Sequence, residues 1–290
     1  MAPRILRIET ETTLLAYLLE QLADQKRGDI KRLLKHGAIT VNGLAVTQHD
    51  KPLAPGDEVA IDRGTSKASP APGLDNVYED EALILINTPV GLLSVATPGE
   101  MTRTAHHVLN EYIQKREKTR GRVFVVHRLD RETSGLLLFA RTTEIRQTLQ
   151  DNWGNVEKRY YAVVEGLIRR ASGTIKSRLG QDETNLQVRS VRNSDEGKDA
   201  ITHFRVVKLA RRRTLLDIEL ETGRRNQIRV HLSEMNHPIV GDPRYGKKTG
   251  PGGRLALHAY KLAFDHPVTG ERMTFETPLP TAFERMLTNA

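Results

Sequence analysis

The chain has 290 residues, with 44 Lys+Arg against 36 Asp+Glu, a net charge of +8, a pI near 9.7 and no cysteine. Lack of cysteine excludes disulfides, thiolate nucleophiles and the usual structural zinc sites, so any chemistry rests on carboxylates, hydroxyls, imidazoles, guanidiniums or amines. The basic balance favours a polyanionic partner such as nucleic acid, and a length above roughly 100–200 residues points to one large domain and one small one.

Charges interrupt the first residues, Met1-Ala2-Pro3-Arg4-Ile5-Leu6-Arg7, where a signal peptide needs an apolar stretch. No run elsewhere approaches the roughly 20 apolar residues of a membrane span. A cytoplasmic protein that does not engage a membrane is therefore expected. Leu14, Leu15, Leu18, Leu19 and Leu22 recur at helical spacing, and Ile30, Leu33 and Leu34 do so again, which predicts two short amphipathic helices. Ile39-Thr40-Val41-Asn42-Gly43 then reads as a strand entering an Asn-Gly turn, and Pro55-Gly56-Asp57 as a turn before a strand at Val59-Ala60-Ile61. Residues 1–62 hold eight basic and nine acidic side chains, yet Lys26, Arg27, Lys31, Arg32 and Lys35 gather on the second helix against Asp29 alone. Such a stripe suits a phosphate backbone. The order of helix, basic helix, strand and turn over residues 11–61 resembles the small RNA-binding domain named after ribosomal protein S-four, and the resemblance implies an α/β RNA-binding domain at residues 1–62.

Residues 63–73 hold two prolines, two glycines and no large apolar side chain, so a linker is expected over 63–76 and a second domain over 77–290. Apolar stretches at Ala82–Ile86, Val123–Val126, Leu136–Ala140, Tyr160–Val164 and Leu215–Leu220 predict strands, while Thr104–Ile113 and Gln227–Met235 predict helices. Strands outnumber helices without regular alternation. That pattern favours an α+β class with a mixed, largely antiparallel central sheet and flanking helices over a doubly wound fold.

Between two of these strands lies His127-Arg128-Leu129-Asp130-Arg131-Glu132-Thr133-Ser134-Gly135, a polar cluster on a loop held by rigid elements. An aspartate between two arginines is ordinarily a surface ion pair. The string as a whole, continuing into Leu136-Leu137-Leu138, resembles the signature of the RluA-type pseudouridine synthases. Lys158-Arg159-Tyr160, Thr222-Gly223-Arg224 with Gln227-Ile228-Arg229, Pro238–Gly246, Leu257-His258-Ala259 and His266-Pro267 follow in that family's order, extending the resemblance over about residues 77–280. Thr88 stands where the family usually has lysine, and Arg225-Asn226 replaces a common Thr-His pair.

The resemblance implies isomerisation of uridine in structured RNA, ribosomal in preference to transfer RNA, by a monomer without cofactor or metal. It assigns Asp130 as the catalytic carboxylate, Arg229 as the guanidinium that keeps it ionised and Tyr160 as the ring that stacks on uracil. Arg128, His127, Arg224 and Arg225 become RNA contacts, with Arg128 filling the space left by a flipped nucleotide. Strand 216–220 turns through Thr222-Gly223 into a helix on which Ile228, Leu232 and Met235 share a face, leaving Arg229 off that face and free to point into a cleft. Two basic runs, Lys115–Arg122 and Arg211–Arg213, are further candidates for backbone contacts. The alternative is an RNA-binding or ribosome-assembly factor of the same fold that has lost its chemistry.

Overall fold

The structure is a computed structural model that describes residues 4–22, 30, 34, 39–42, 44–46, 48–61, 74–118, 121–182, 187–191, 197–246 and 254–288. Contacts divide the chain into two units, Met1–Ala68 and Ser69–Ala290. The described part of the smaller unit contains β1 (Arg4–Arg7), β2 (Thr12–Thr13), α1 (Leu14–Gln21), β3 (Ile39–Val41), β4 (Leu44–Ala45), β5 (Pro52–Leu53) and β6 (Glu58–Ile61). Its sheet runs β1-β6-β3-β4, and β2 pairs with β5. Leu14, Leu15, Leu18 and Leu22 bury one stripe of α1 against Ile39, Val41, Leu53 and Val59, which is the outcome of an amphipathic period of 3.6. Asn42 takes a left-handed φ of 52° at the expected turn, and its side chain accepts from Glu58 N and donates to Asp57. Ile30 and Leu34 are helical and buried in the same core. The basic stripe of that helix, Lys26, Arg27, Lys31, Arg32 and Lys35, lies outside the described residues.

The larger unit is built on a sheet of order β13-β12-β14-β15-β11-β16-β10-β8-β7, with β17 on β16 and β9 on β10. In chain order these strands are β7 (Asp75–Glu79), β8 (Leu83–Thr88), β9 (Phe124–Val125), β10 (Ser134–Ala140), β11 (Glu157–Glu165), β12 (Ser172–Gln181), β13 (Val188–Ser190), β14 (Lys198–Leu209), β15 (Arg213–Leu220), β16 (Leu257–Asp265) and β17 (Arg272–Glu276). The helices are α2 (Ala105–Glu117), α3 (Thr143–Asp151), α4 (Gln227–Glu234) and α5 (Thr281–Thr288). Pairing is antiparallel except between β10 and β16, so the expected α+β class with a mixed, largely antiparallel sheet is what the chain adopts. No helix among the described residues is long and apolar enough to cross a membrane.

The continuous run Leu136-Leu137-Leu138-Phe139-Ala140 is explained by helices on both faces of the sheet. Leu137 and Phe139 pack toward α2 with Leu109 and Ile113, whereas Leu136, Leu138 and Ala140 pack with Leu149 of α3. A strand covered on both sides cannot alternate apolar with polar. A third core under α4 and α5 joins Ile228, Leu232, Phe283 and Leu287 to β11 and β15. Asp75 and Asn76 already pair with β8 and Leu74 is buried, within the segment expected as linker. Strands β12 and β14 were not expected from the sequence, because β12 lies toward the sheet edge and buries only Leu179. Its polar run Ser172-Gly173-Thr174-Ile175-Lys176 carries little signal of burial.

Gly135 sets the start of β10. Its φ is +122°, and a Cβ there would lie 2.2 Å from Ala259 O and 2.6 Å from Ala259 N, because β10 and β16 meet at the parallel register Gly135↔Ala259. Gly135→Ala is expected to cost roughly 1–3 kcal/mol from overpacking backbone atoms, with a comparable strain from the disfavoured φ. A melting point unchanged from wild type would show that the β10–β16 approach is not as close as described.

Candidate active site

The loop from His127 to Thr133 enters β10 under constraint from two sides. Leu129 N donates to Ser94 Oγ at 3.0 Å, and the same hydroxyl donates back to Leu129 O at 3.1 Å. Gly91 N donates to Arg131 O at 2.8 Å, and Thr133 N closes a turn on Asp130 O at 2.9 Å. Thr88, the departure from lysine, is buried and spends its hydroxyl on Gly135 O at 2.9 Å. Asp130 is thus carried on a short backbone arc anchored at Gly91, Ser94 and β10, with little freedom to move.

Asp130 opens into a pocket of about 310 Å³ lined also by Arg128, Thr133, Tyr160, Leu220, Arg224, Arg225, Asn226, Ile228, Arg229 and Leu257, within the size range of small-ligand sites, roughly 300–1,000 Å³. One carboxylate and four guanidiniums share an apolar floor. Arg229 is buried, and its fork is divided between partners. Nε and Nη2 donate to the two oxygens of Asp242 at 2.8 and 2.9 Å, while Nη1 reaches Asp130 at 3.4 Å, Glu132 at 3.3 Å and Asn226 Oδ1 at 3.5 Å. Asp242 is itself buried and accepts the backbone N–H groups of Arg244 and Tyr245 at 2.9 and 3.0 Å. A bidentate carboxylate pair fixes a guanidinium plane. Asp242 therefore orients Arg229 and leaves one N–H edge for the pocket.

The electrostatics follow from these partners. Burial raises the Asp130 carboxyl above its ordinary value, and Glu132 adds to the rise; the charge and hydrogen bond of Arg229 and the charge of Arg225 offset this only in part. Burial alone would lower Arg229, but the hydrogen bonds and charge of Asp242, with the charges of Asp130 and Glu132, push it above its ordinary value. Burial also pushes the Tyr160 phenol well up, and the charge of Asp130 adds to this. The site then sets an Asp130 carboxyl whose charge burial disfavours beside a charged Arg229 that favours it and a Tyr160 phenol that stays protonated at neutral pH.

A pH dependence follows, with a definite sign. Where Asp130 must be ionised, kcat/KM falls as pH drops through its raised pKa, so the acid limb lies above the ordinary carboxylate range of about 4. Glu132→Gln removes a neighbouring negative charge and a rival for Nη1 of Arg229. It is expected to move that limb to lower pH; a limb that stays put or moves up would contradict the role given to Glu132.

The neighbouring loop is fastened from below. Gln227 donates to Ile201 O and Thr202 Oγ1 and accepts from Thr222 Oγ1 and Arg224 N, all within 2.9–3.0 Å. Asn226, the second departure, holds a left-handed φ of 53° at the start of α4 and donates to Tyr245 Oη; Asn tolerates that conformation better than most residues. Arg224 lies at the pocket with Nε on Asp199 O, and Arg225 is exposed beside it. Arg128 is exposed at the pocket and forms no ion pair with the described residues.

The structure thus brings Asp130, Tyr160, Arg229, Arg128, Arg224 and Arg225 to one pocket. His127 is placed elsewhere. Its ring stacks on Trp153 with centroids 4.7 Å apart, and Nε2 accepts Leu138 N at 3.1 Å. Burial, with the charge of Lys158, lowers it to about 3, so it is a neutral ring that fastens β10. Asp242 and Glu132 have no role legible in the sequence, although both stand inside motifs shared with the family. Glu132 is adjacent to the loop and could have been suspected; Asp242 is linked to Arg229 only by folding. Among the described residues no three His, Asp or Glu side chains gather as a metal site.

The model of the family described as RNA pseudouridylate synthase matches residues 82–234. The chain is 37% identical over 275 residues to the uncharacterized RNA pseudouridine synthase YlyB of Bacillus subtilis, with 92% of this chain and 90% of that protein aligned. It is 35% identical over 292 residues to ribosomal large subunit pseudouridine synthase D of Neisseria meningitidis, covering 94% and 77%. Among solved structures, human RNA pseudouridylate synthase domain containing 4 shares the fold, with a TM-score of 0.61 at 23% identity over 73% of this chain and 91% of that one.

Proposed function

Because the chain belongs to the RNA pseudouridylate synthase family and is an RNA pseudouridine synthase, we propose that it modifies large-subunit ribosomal RNA and that Asp130 is its catalytic carboxylate, acting without a cofactor. The observation that carries the assignment is the Asp130 carboxylate inside the pocket, beside Tyr160 and one guanidinium edge of Arg229. The Neisseria relative, a ribosomal large subunit pseudouridine synthase by name, supports the choice of RNA.

The reaction breaks the bond from ribose C1′ to uracil N1, turns the base, joins C5 to C1′ and releases the C5 proton while N1 gains one. Nothing is oxidised and no group enters from outside, so a positioned ionised carboxylate beside the sugar is the central requirement. It either adds to the sugar or takes a ribose proton. Arg229 opposes the penalty that burial places on the charge of Asp130. The protonated ring of Tyr160, with Leu220, Ile228 and Leu257, offers an apolar slot against which the uracil can stack and turn. A paired uridine cannot reach this slot, so the nucleotide is flipped at a cost of a few kcal/mol; Arg128 fills the gap, and Arg224 and Arg225 contact the phosphates on either side. Residues 1–62 act as the RNA-binding domain that their helix and turn pattern resembles.

Deleting the encoding gene, mapping the pseudouridines that disappear, and restoring either wild type or Asp130→Asn tests the proposal. Loss of large-subunit sites that only the wild type restores is expected. Loss confined to transfer RNA would overturn the choice of RNA, and restoration by the variant would overturn Asp130.

A further inference from the structure

The two basic runs of the sequence meet different fates in the fold. In the first, Lys115 lies 3.6 Å from Glu111 and Arg116 pairs with Glu79 and Glu117 while donating to Tyr112 Oη, so these two charges are answered within the protein, while Arg120 lies outside the described residues. In the second, Arg213 is buried, donates to Met286 O at 2.7 Å and lies 3.7 Å from Glu165. Arg211 and Arg212 remain exposed, and neither forms an ion pair with the described residues.

Backbone hydrogen bonds between loops add three more cations to this end. Gly166 N donates to Arg212 O and Val206 N to Ala171 O, both at 2.7 Å, which draws the loop after β11 against the β14–β15 turn. Arg169, Arg170 and Lys208 are thereby gathered with Arg211 and Arg212, all exposed and none ion-paired among the described residues. The guanidinium of Arg170 sits 5.4 Å from the Phe204 ring centroid, a contact that leaves its charge unanswered. The carboxylate of β11 at this end, Glu165, is the one already facing Arg213. Five uncompensated cations on one rim repel one another, a cost that a polyanion would relieve.

This rim is at the opposite end of the strands from the pocket. Tyr160 and Glu165 are five residues apart on β11, on the order of 16 Å at about 3.3 Å per residue. We propose that Arg169, Arg170, Lys208, Arg211 and Arg212 form a second RNA-backbone contact, engaged by the part of the substrate that extends beyond the helix presenting the target uridine. The proposal rests on RNA being the substrate and is independent of the role of Asp130. Lysine and arginine contacts to phosphate position RNA without reading its sequence, so the rim supplies affinity and orientation and leaves the chemical step alone.

The test uses the full chain and two RNAs: a stem-loop whose stem is about four base pairs, too short to span from the pocket to the rim, and the same stem-loop extended by two helical turns. For the variant Arg169→Gln, Arg170→Gln, Arg211→Gln, Arg212→Gln, the Kd for the extended RNA is expected to weaken at least about tenfold, and the slope of log Kd against log salt to fall by roughly 0.7–0.9 for each cation that contacts phosphate. Affinity for the short RNA is expected to be unchanged. Should the fourfold variant fold poorly, Arg211→Gln with Arg212→Gln, both exposed at a hairpin turn, gives the same comparison with a smaller change in slope. Equal Kd and equal salt slope for wild type and variant on the extended RNA would overturn the proposal. The exposed Leu167, Val207 and Leu209 among the cations would then make a protein partner the next candidate for this rim.

Discussion

Asp130→Asn is expected to reduce release of tritium from RNA labelled at uracil C5 by roughly 10²–10⁴-fold, the range for loss of a positioned acid, base or nucleophile. The substitution keeps the shape of the side chain and removes its charge, so the anchors of the loop at Gly91, Ser94 and Gly135 are untouched. Arg229 keeps both bonds to Asp242. Stability is expected to hold, because a carboxylate that burial disfavours is replaced by a neutral amide. RNA affinity is expected to be retained or improved, since a negative charge leaves a pocket that faces phosphates. An Asp130→Asn protein that binds RNA and releases tritium at the wild-type rate would remove Asp130 from the mechanism.

Asp242→Asn has the second large effect, through Arg229. Both side chains are nearly inaccessible, at 1% and 3% relative exposure, so removing one charge leaves the other buried without its main partner. Breaking a buried pair of this kind costs about 3–5 kcal/mol of stability. Without the bidentate anchor the guanidinium can rotate, and a displacement of about 1 Å near a reacting centre is enough to cost about 100-fold in rate. A paired control separates the two effects. Asp242→Asn with Arg229→Met removes both charges and should recover much of the melting point, while tritium release stays low because no guanidinium donates to Asp130. Asp242→Asn with wild-type rate and melting point would show that Arg229 needs no such anchor.

The two departures from the family pattern can now be weighed on contacts. Thr88 is buried and bonded to Gly135 O, so it supports the start of β10 and does not face the pocket. Asn226 meets the demand for a left-handed residue at the start of α4 and bridges Tyr245 and Arg229. Thr88 and Asn226 each have a definite structural task around Asp130, which is not the pattern of a site left to decay.

Much was determined by the residues in order. The run from His127 to Leu138 carries its own meaning because a loop between two apolar strands is a local structure, and a local structure is written in contiguous residues. The fold class was legible for the same reason: strands covered by helices read as unbroken apolar runs, as Leu136–Ala140 does. Exposed strands such as β12 left little trace, since nothing presses on their side chains. Tertiary structure alone decided what faces what. Arg229 and Asp130 are 99 positions apart, Asp242 lies beyond the residues 82–234 of the family match, and the rim cations come from two segments joined by backbone hydrogen bonds. His127 lies within the signature, yet folding turned its ring onto Trp153 on one side of the loop, while Arg128 and Asp130 line the pocket on the other. Which side is the active one is set by the strands that pack against it.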